Sequence, residues 1–198
     1  MDIDGLVTLL KEDRSNFEHR YVKELGEVKQ VVEAVRAQGL RIVLTSGSFD
    51  VIHEGHSMYL EEARSKGDFL VVGVDSDSKV RERKGPARPA VPELERLRMV
   101  THQRGVGIVT LKYPEHERWA LIHAVRPDVL IATEETYSAE AIAELERTCC
   151  GKVEVLPRMA TVSTSARLRK TYFEIANVVA ERLPTFINNI VKEIAGER

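Results

Sequence analysis

Five short apolar runs, at residues 42–44, 69–74, 106–111, 128–132 and 153–156, set the limits on what this chain can fold into. They are rich in Val and Ile and continuous rather than alternating, the pattern of strands buried on both faces. Apolar residues at helical spacing fill the gaps. His56, Tyr59, Leu60 and Ala63 share one face after the first run, and Leu94, Leu97 and Val100 share another after the second. Further helices are predicted over about 115–125 and over 139–147. Strand and helix in alternation predict βαβ units with right-handed crossovers. The expected fold class is α/β: a Rossmann-like parallel five-stranded sheet with helices on both faces, plus helical extensions at the N- and C-termini.

Before the first strand, Tyr21, Leu25, Val28, Val32 and Val35 recur at helical spacing, and Gly39 is placed to stop the helix. After the last strand, Leu168, Tyr172, Ile175, Val179 and Leu183 form a second stripe. Pro184 is expected to interrupt it, and Ile187, Ile190, Val191 and Ile194 continue it. Such stripes are packing faces or a dimer interface, and a homodimer is expected. The division read from this is an N-terminal helical extension over 1–40, a core domain over 41–170 and a C-terminal helical extension over 171–198.

Net charge is −2, so no overall basic field draws the chain to nucleic acid or anionic lipid. No apolar run is long enough to span a bilayer, and the acidic N-terminus is unlike a signal peptide. The two cysteines are the neighbours Cys149 and Cys150, which make no disulfide framework. Together these predict reduced thiols in a cytoplasmic protein that binds neither nucleic acid nor membrane.

Chemistry concentrates where the first strand meets the first helix, at Gly47-Ser48-Phe49-Asp50-Val51-Ile52-His53-Glu54-Gly55-His56. In an open parallel sheet, ligands bind beyond the carboxyl ends of the strands. Gly47 and Ser48 let the backbone approach a ligand. Gly55 sits at a helix start, where unpaired N–H groups and the helix dipole favour an anion. His53 and His56, three residues apart, can face that anion together. The same spacing suits a metal, but no third ligand is evident, so no metal site is assigned to the protein itself.

These ten residues resemble, at every fixed position, the G-x-F-D-x-x-H-x-G-H motif of the cytidylyltransferase-like nucleotidyltransferases. A later segment, Arg158 with Val162-Ser163-Thr164-Ser165, is similar to the family's R-x-x-x-I-S-T-[ST] stretch, with Val for Ile. Hydroxyls there would otherwise simply cap a helix. The loop containing Lys84, Gly85, Arg88 and Pro89 resembles the K-G-x-x-R-P loop of bacterial heptose-1-phosphate adenylyltransferases. The resemblance implies a triphosphate held by Gly47, Ser48, Phe49, Asp50, Gly55, Ser163, Thr164 and Ser165. It implies His53, His56, Lys84 and Arg158 as catalytic groups, with Arg88 beside Lys84 or on the acceptor phosphate. It implies Mg2+ with ATP or CTP as substrate.

One departure stands out. Relatives carry G-D-D or G-G-D after the fourth strand, near base and ribose; this chain has Thr133-Glu134-Glu135-Thr136-Tyr137. The expected reaction is transfer of AMP or CMP to a small phosphorylated acceptor, a heptose 1-phosphate being favoured, with release of pyrophosphate. The alternatives are a CTP-dependent enzyme acting on glycerol- or other alcohol-phosphates, and a nucleotide-binding regulator without turnover.

Overall fold

The structure, a computed structural model, describes residues 17–157, 159 and 164–194. They divide into two units with the boundary after residue 160, and each is treated by itself. The elements of the first unit are α1 (Phe17–Arg20), α2 (Leu25–Ala37), β1 (Ile42–Gly47), α3 (Glu54–Ser65), β2 (Phe69–Asp75), α4 (Asp77–Lys84) and α5 (Glu93–Thr101). They continue with β3 (Val106–Lys112), α6 (Ala120–Val125), β4 (Val129–Thr133), α7 (Ala139–Thr148) and β5 (Lys152–Leu156). The second unit contains α8 (Thr164–Ile194).

All five strands pair in parallel, in the order β3-β2-β1-β4-β5. Period-two alternation divides each strand between two apolar layers. Ile42, Leu44, Phe69, Val71, Ile108, Leu130 and Ala132 pack with Val28, Val32 and Val35 of α2, with Leu121 and Val125 of α6, and with Leu145 of α7. Val43, Leu70, Val72, Val109 and Ile131 pack on the other face with Leu60 and Ala63 of α3 and with Leu97 and Val100 of α5. The α/β sheet with helices on both faces is therefore as the sequence predicts.

Strand order reverses at β1. Its ladder with β2 runs through six residue pairs, from Ile42↔Phe69 to Gly47↔Val74, whereas its ladder with β4 holds only Val43↔Val129 and Leu44↔Leu130. Past Leu44 the two strands no longer pair residue by residue. Thr45 fills the gap, its Oγ1 lying 3.2 Å from the Ile131 carbonyl and 2.7 Å from the Tyr59 hydroxyl. A crevice at this position is where open α/β sheets bind ligands.

Several boundaries differ from expectation. Tyr21 lies outside α2 and forms a single bridge to Val109, while the Val22 N–H donates to the Val109 carbonyl. With Arg20 donating to the Val106 carbonyl, this segment covers part of the β3 edge that a helix would have left bare. Gly39 does follow the end of α2, at φ 77°. Leu94 is exposed, because the buried face of α5 is Arg96, Leu97, Val100 and Thr101. The helix expected from 115 begins only at Ala120, since Tyr113 and His116 close a turn around Pro114 and Trp119 is left-handed at φ 63°. The charged residues Arg81 to Lys84 are not loop but the last turn of α4, which Ser76 caps by accepting from the Lys79 N–H.

In the second unit, α8 runs unbroken through Pro184 for 31 residues. This corrects the expected interruption. A proline inside a helix costs about 3 kcal/mol, and continuation across it means that something other than local propensity sustains the helix.

Candidate active site

The loop after β1 is strained. Phe49 and Val51 both hold positive φ, 48° and 54°, a region costing on the order of 1–3 kcal/mol for residues with a side chain and most for a β-branched one. The Phe49 ring turns inward, is buried, and lies so close over Gly47 that a Cβ there would sit 3.1 Å from it. The same ring stands 5.6 Å from the His56 ring. A side chain at position 47 would have to push the Phe49 ring aside by a few tenths of an ångström, so glycine suits the packing within the loop.

His53 is the N-cap of α3, and the two imidazoles cap the helix reciprocally. Nδ1 of His53 accepts from the Gly55 N–H at 3.2 Å, and Nδ1 of His56 accepts from the His53 N–H at 3.4 Å. Their ring centres are 4.0 Å apart. A ring nitrogen that accepts carries no proton, so each neutral ring bears its hydrogen on Nε2. Burial pushes the His56 pKa down to about 4, with the charges of His53 and Lys84 adding to the effect and Asp50 opposing it. At neutral pH His56 is an uncharged N–H donor with a fixed tautomer.

Asp50, buried at the other side of the motif, is a brace. Its carboxylate accepts from Arg88 Nε at 2.7 Å and from the N–H groups of Ala90 and Val91, at 3.0 Å each for Oδ1. Arg88 is thus tied to Asp50. Lys84 ends α4 one residue before Gly85, whose φ of 90° turns the chain out of the helix. Partial burial lowers the Lys84 pKa, the nearby Arg83 and Arg88 guanidiniums lower it further, and Asp50 and Asp75 pull the other way. An ammonium in such company gains more from an added anion than one in open water.

Sequence reasoning missed the residues that fasten these parts together. Arg96 is 1% exposed. Its guanidinium donates to the Val91 carbonyl at 2.9 Å, to the Ser48 carbonyl, and to Asp77 Oδ1 at 2.8 Å. One buried cation therefore holds the loop after β1, the start of α4 and the approach to α5. Asp75, at the end of β2, binds Arg83 at 2.8 Å and Lys112 at 3.6 Å. Arg83 also donates to Ser48 Oγ at 2.6 Å. The one available signal was an arginine standing in the apolar register of α5, beside Leu97 and Val100.

Across the crevice, the turn after β4 is closed by its own hydroxyls. Thr136 Oγ1 accepts from the Thr133 N–H at 3.1 Å and lies 2.8 Å from Thr133 Oγ1. Tyr137 follows, its phenol pushed up to about 12, chiefly by burial.

The structure thus brings Gly47, Ser48, Phe49, Asp50, His53, Gly55, His56 and Lys84 to one end of the sheet. Arg158 and Ser163 lie outside the described residues. Thr164 and Ser165 open α8 in the second unit, and their side chains are also outside those described. Among the described residues, no group of three or more His, Cys, Asp or Glu is placed to hold a metal ion. Asp50, Asp75 and Asp77 are each engaged by cationic side chains, a donor set that fits a magnesium ion held mainly by substrate phosphates rather than by a carboxylate cage. No described helix is long and apolar enough to cross a membrane.

Fold and site together define an α/β protein that gathers oriented N–H donors and cationic side chains at a topological switch point. The cytidylyltransferase-like family matches residues 44–171, and the chain belongs to it. It is a nucleotidyltransferase. Among curated relatives it is 38% identical over 149 residues to the bifunctional protein HldE of Desulfatibacillum aliphaticivorans, covering 73% of this chain and 29% of that protein. It is 40% identical over 146 residues to the bifunctional protein HldE of Alkalilimnicola ehrlichii, covering 73% and 30%. The chain thus spans under a third of the length of these relatives. Among solved structures, the lipopolysaccharide core biosynthesis protein of Thermoplasma volcanium superposes with a TM-score of 0.52 at 28% identity, over 61% of this chain and 97% of that one. Pantoate-beta-alanine ligase of Francisella tularensis, at 15% identity and a TM-score of 0.55 over 83% and 79%, shares the fold.

Proposed function

We propose that the chain transfers AMP from ATP to a sugar 1-phosphate of the heptose type, releasing pyrophosphate, as a cytoplasmic homodimer. The observation that carries this reading is the reciprocal imidazole cap of α3. It fixes the proton of His56 on Nε2 while that ring stays neutral, which suits donation to a phosphate oxygen whose charge grows during transfer. A phosphate oxygen of the acceptor attacks the α-phosphorus in line. The bond from that phosphorus to the bridging oxygen of the β-phosphate breaks, and the electron pair leaves with pyrophosphate. The acceptor is already an anion, so no general base is required, and positioning and charge neutralisation carry the rate.

Lys84 neutralises charge at the α-phosphate in this scheme. Arg158, Ser163, Thr164 and Ser165 hold the β- and γ-phosphates. Magnesium, arriving with the triphosphate rather than held by a carboxylate cage of the protein, would supply further charge neutralisation. The heptose-type acceptor is favoured by the loop bearing Lys84, Gly85, Arg88 and Pro89. A cleft of about 380 Å³ lined by Asp77, Ser78, Arg81, Pro92, Glu93, Leu94 and Tyr113 combines apolar surface with hydroxyl and charged groups of the kind that bind a sugar.

Pyrophosphate release with ATP and CTP against heptose 1-phosphate, other sugar phosphates and glycerol 3-phosphate tests the proposal. Turnover only with CTP and an alcohol phosphate would replace it. Lys84→Ala is expected to lower kcat more than it raises KM; a loss confined to KM would remove Lys84 from the transition state.

A further inference from the structure

The proposed homodimer has so far been given no surface. The most conspicuous unassigned feature of the molecule is α8. Tyr172, Ile175, Val179, Leu183, Phe186, Ile190 and Ile194 follow one another at spacings of three, four, four, three, four and four residues, an 11-residue repeat. At 3.67 residues per turn such a repeat keeps its apolar stripe nearly parallel to the helix axis. Phe173, Ile187 and Val191 widen the stripe. All of these side chains are exposed, from 38% at Ile190 to 81% at Ile194.

A helix in this condition does not hold itself. In proteins most helical stability comes from packing of an amphipathic face, and this helix carries Pro184 in its interior. The exposed apolar side chains of α8, at on the order of 100 Å² each, present about 1,000 Å². That exceeds the few hundred Å² usual for the largest patch of a monomer and matches the ~800 Å² per partner of a standard interface.

We infer that this stripe is covered by the same stripe of a second copy, in an antiparallel pair with Leu183 at the two-fold axis. The arrangement is self-complementary, as a two-fold interface must be. It sets Tyr172 opposite Ile194, Ile175 opposite Val191, Val179 opposite Ile187 and Ala180 opposite Phe186, so apolar meets apolar along the centre of the stripe, while Phe173 at its margin faces Glu193. Antiparallel helices also align their dipoles favourably. Charge argues against a lipid surface as the occupant. Over residues 170–194, Lys170, Arg182 and Lys192 balance Glu174, Glu181 and Glu193, whereas helices that lie on anionic membranes carry a basic polar face. Arg167 and Arg169 add positive charge only near the helix start.

This inference deepens the dimer reading and is independent of the proposed chemistry. Light scattering on the eluting 198-residue chain should give about twice the 22.3 kDa of one copy. Leu183→Asp and, separately, Phe186→Asp should yield monomers, while Asn188→Asp on the polar face stays dimeric. Under mild oxidation Leu183→Cys should form a disulfide-linked dimer and Tyr172→Cys should not. A monomeric wild-type protein, whether its stripe folds onto its own chain or binds phosphatidylcholine–phosphatidylglycerol vesicles, overturns both the dimer and its surface. A dimer that survives both aspartate variants keeps the dimer and overturns the surface. Cross-linking of Tyr172→Cys in preference to Leu183→Cys overturns the antiparallel register. Pyrophosphate release in the same wild-type sample reports on the chemistry separately.

Discussion

Two turns face each other across the switch point, and they are built in opposite ways. The turn after β1 has two residues at positive φ, an inward aromatic ring, a buried aspartate and two histidines whose Nδ1 atoms are committed to the backbone. Three loops converge on it through Arg96. The turn after β4 is latched by the two hydroxyls of Thr133 and Thr136, and its glutamates, Glu134 and Glu135, point to solvent. The first is over-determined and the second self-contained. On the proposed reading, the rigid turn is the one that meets phosphate charge, and the side proposed to face base and ribose is held by local bonds.

The largest effect should come from the buried cation that holds the first turn. Arg96→Met removes the donors to two carbonyls and leaves Asp77 without its guanidinium. Breaking a buried ion pair on one side costs about 3–5 kcal/mol, and thermal unfolding should show a correspondingly large fall in Tm. A variant within a degree of wild type would mean that the three loops are held some other way.

Next comes the imidazole pair. His56→Ala should lower kcat by about a hundred- to a thousandfold, the loss expected when one oriented donor to developing charge is removed, with far-UV circular dichroism unchanged. Near-normal turnover would take His56 out of the reaction. The same residue sets a pH dependence. Its pKa is held near 4 in the folded chain against an ordinary 6.5, so between those values the unfolded chain binds the proton and the folded chain does not. Stability is therefore full above about pH 6.5 and declines as pH falls towards 4. Tm measured from pH 7 to pH 4.5 should fall less steeply in His56→Gln than in wild type. A parallel decline in both would place the titrating group elsewhere.

These residues also mark where the sequence stopped being legible. The parallel sheet, both apolar layers and the histidine motif follow from periodicity and from residues contiguous in the chain. What escaped was non-local. Arg96 binds Ser48, a partner 48 positions away, and Asp50 holds the N–H groups of Ala90 and Val91, about 40 residues on. A sequence presents both only as a charge in a helix and an aspartate in a motif. Leu94 was misplaced because helical spacing alone does not reveal that an arginine occupies the inward position. The start of α6 was misplaced because the turn around Pro114 depends on the His116 side chain rather than on the apolar pattern.

The smallest effect sharpens the comparison from its weaker side. Thr136→Val keeps the shape of the side chain and deletes the hydroxyl that receives the Thr133 N–H. A partly exposed hydrogen bond of this kind contributes about 0.5–1.5 kcal/mol, so Tm should drop by only a few degrees. If the turn is as independent of the phosphate side as its bonds suggest, kcat with the preferred triphosphate should stay within about twofold, because no donor to the reacting phosphorus moves. The discriminating readout is the ratio of kcat/KM for ATP to that for CTP, which reports on base contacts alone. A changed ratio with an unchanged kcat would tie the threonine latch to base selection. A fall in kcat as large as that of His56→Ala would show that the two turns act as one unit, and the division between a rigid phosphate side and a locally held base side would be lost.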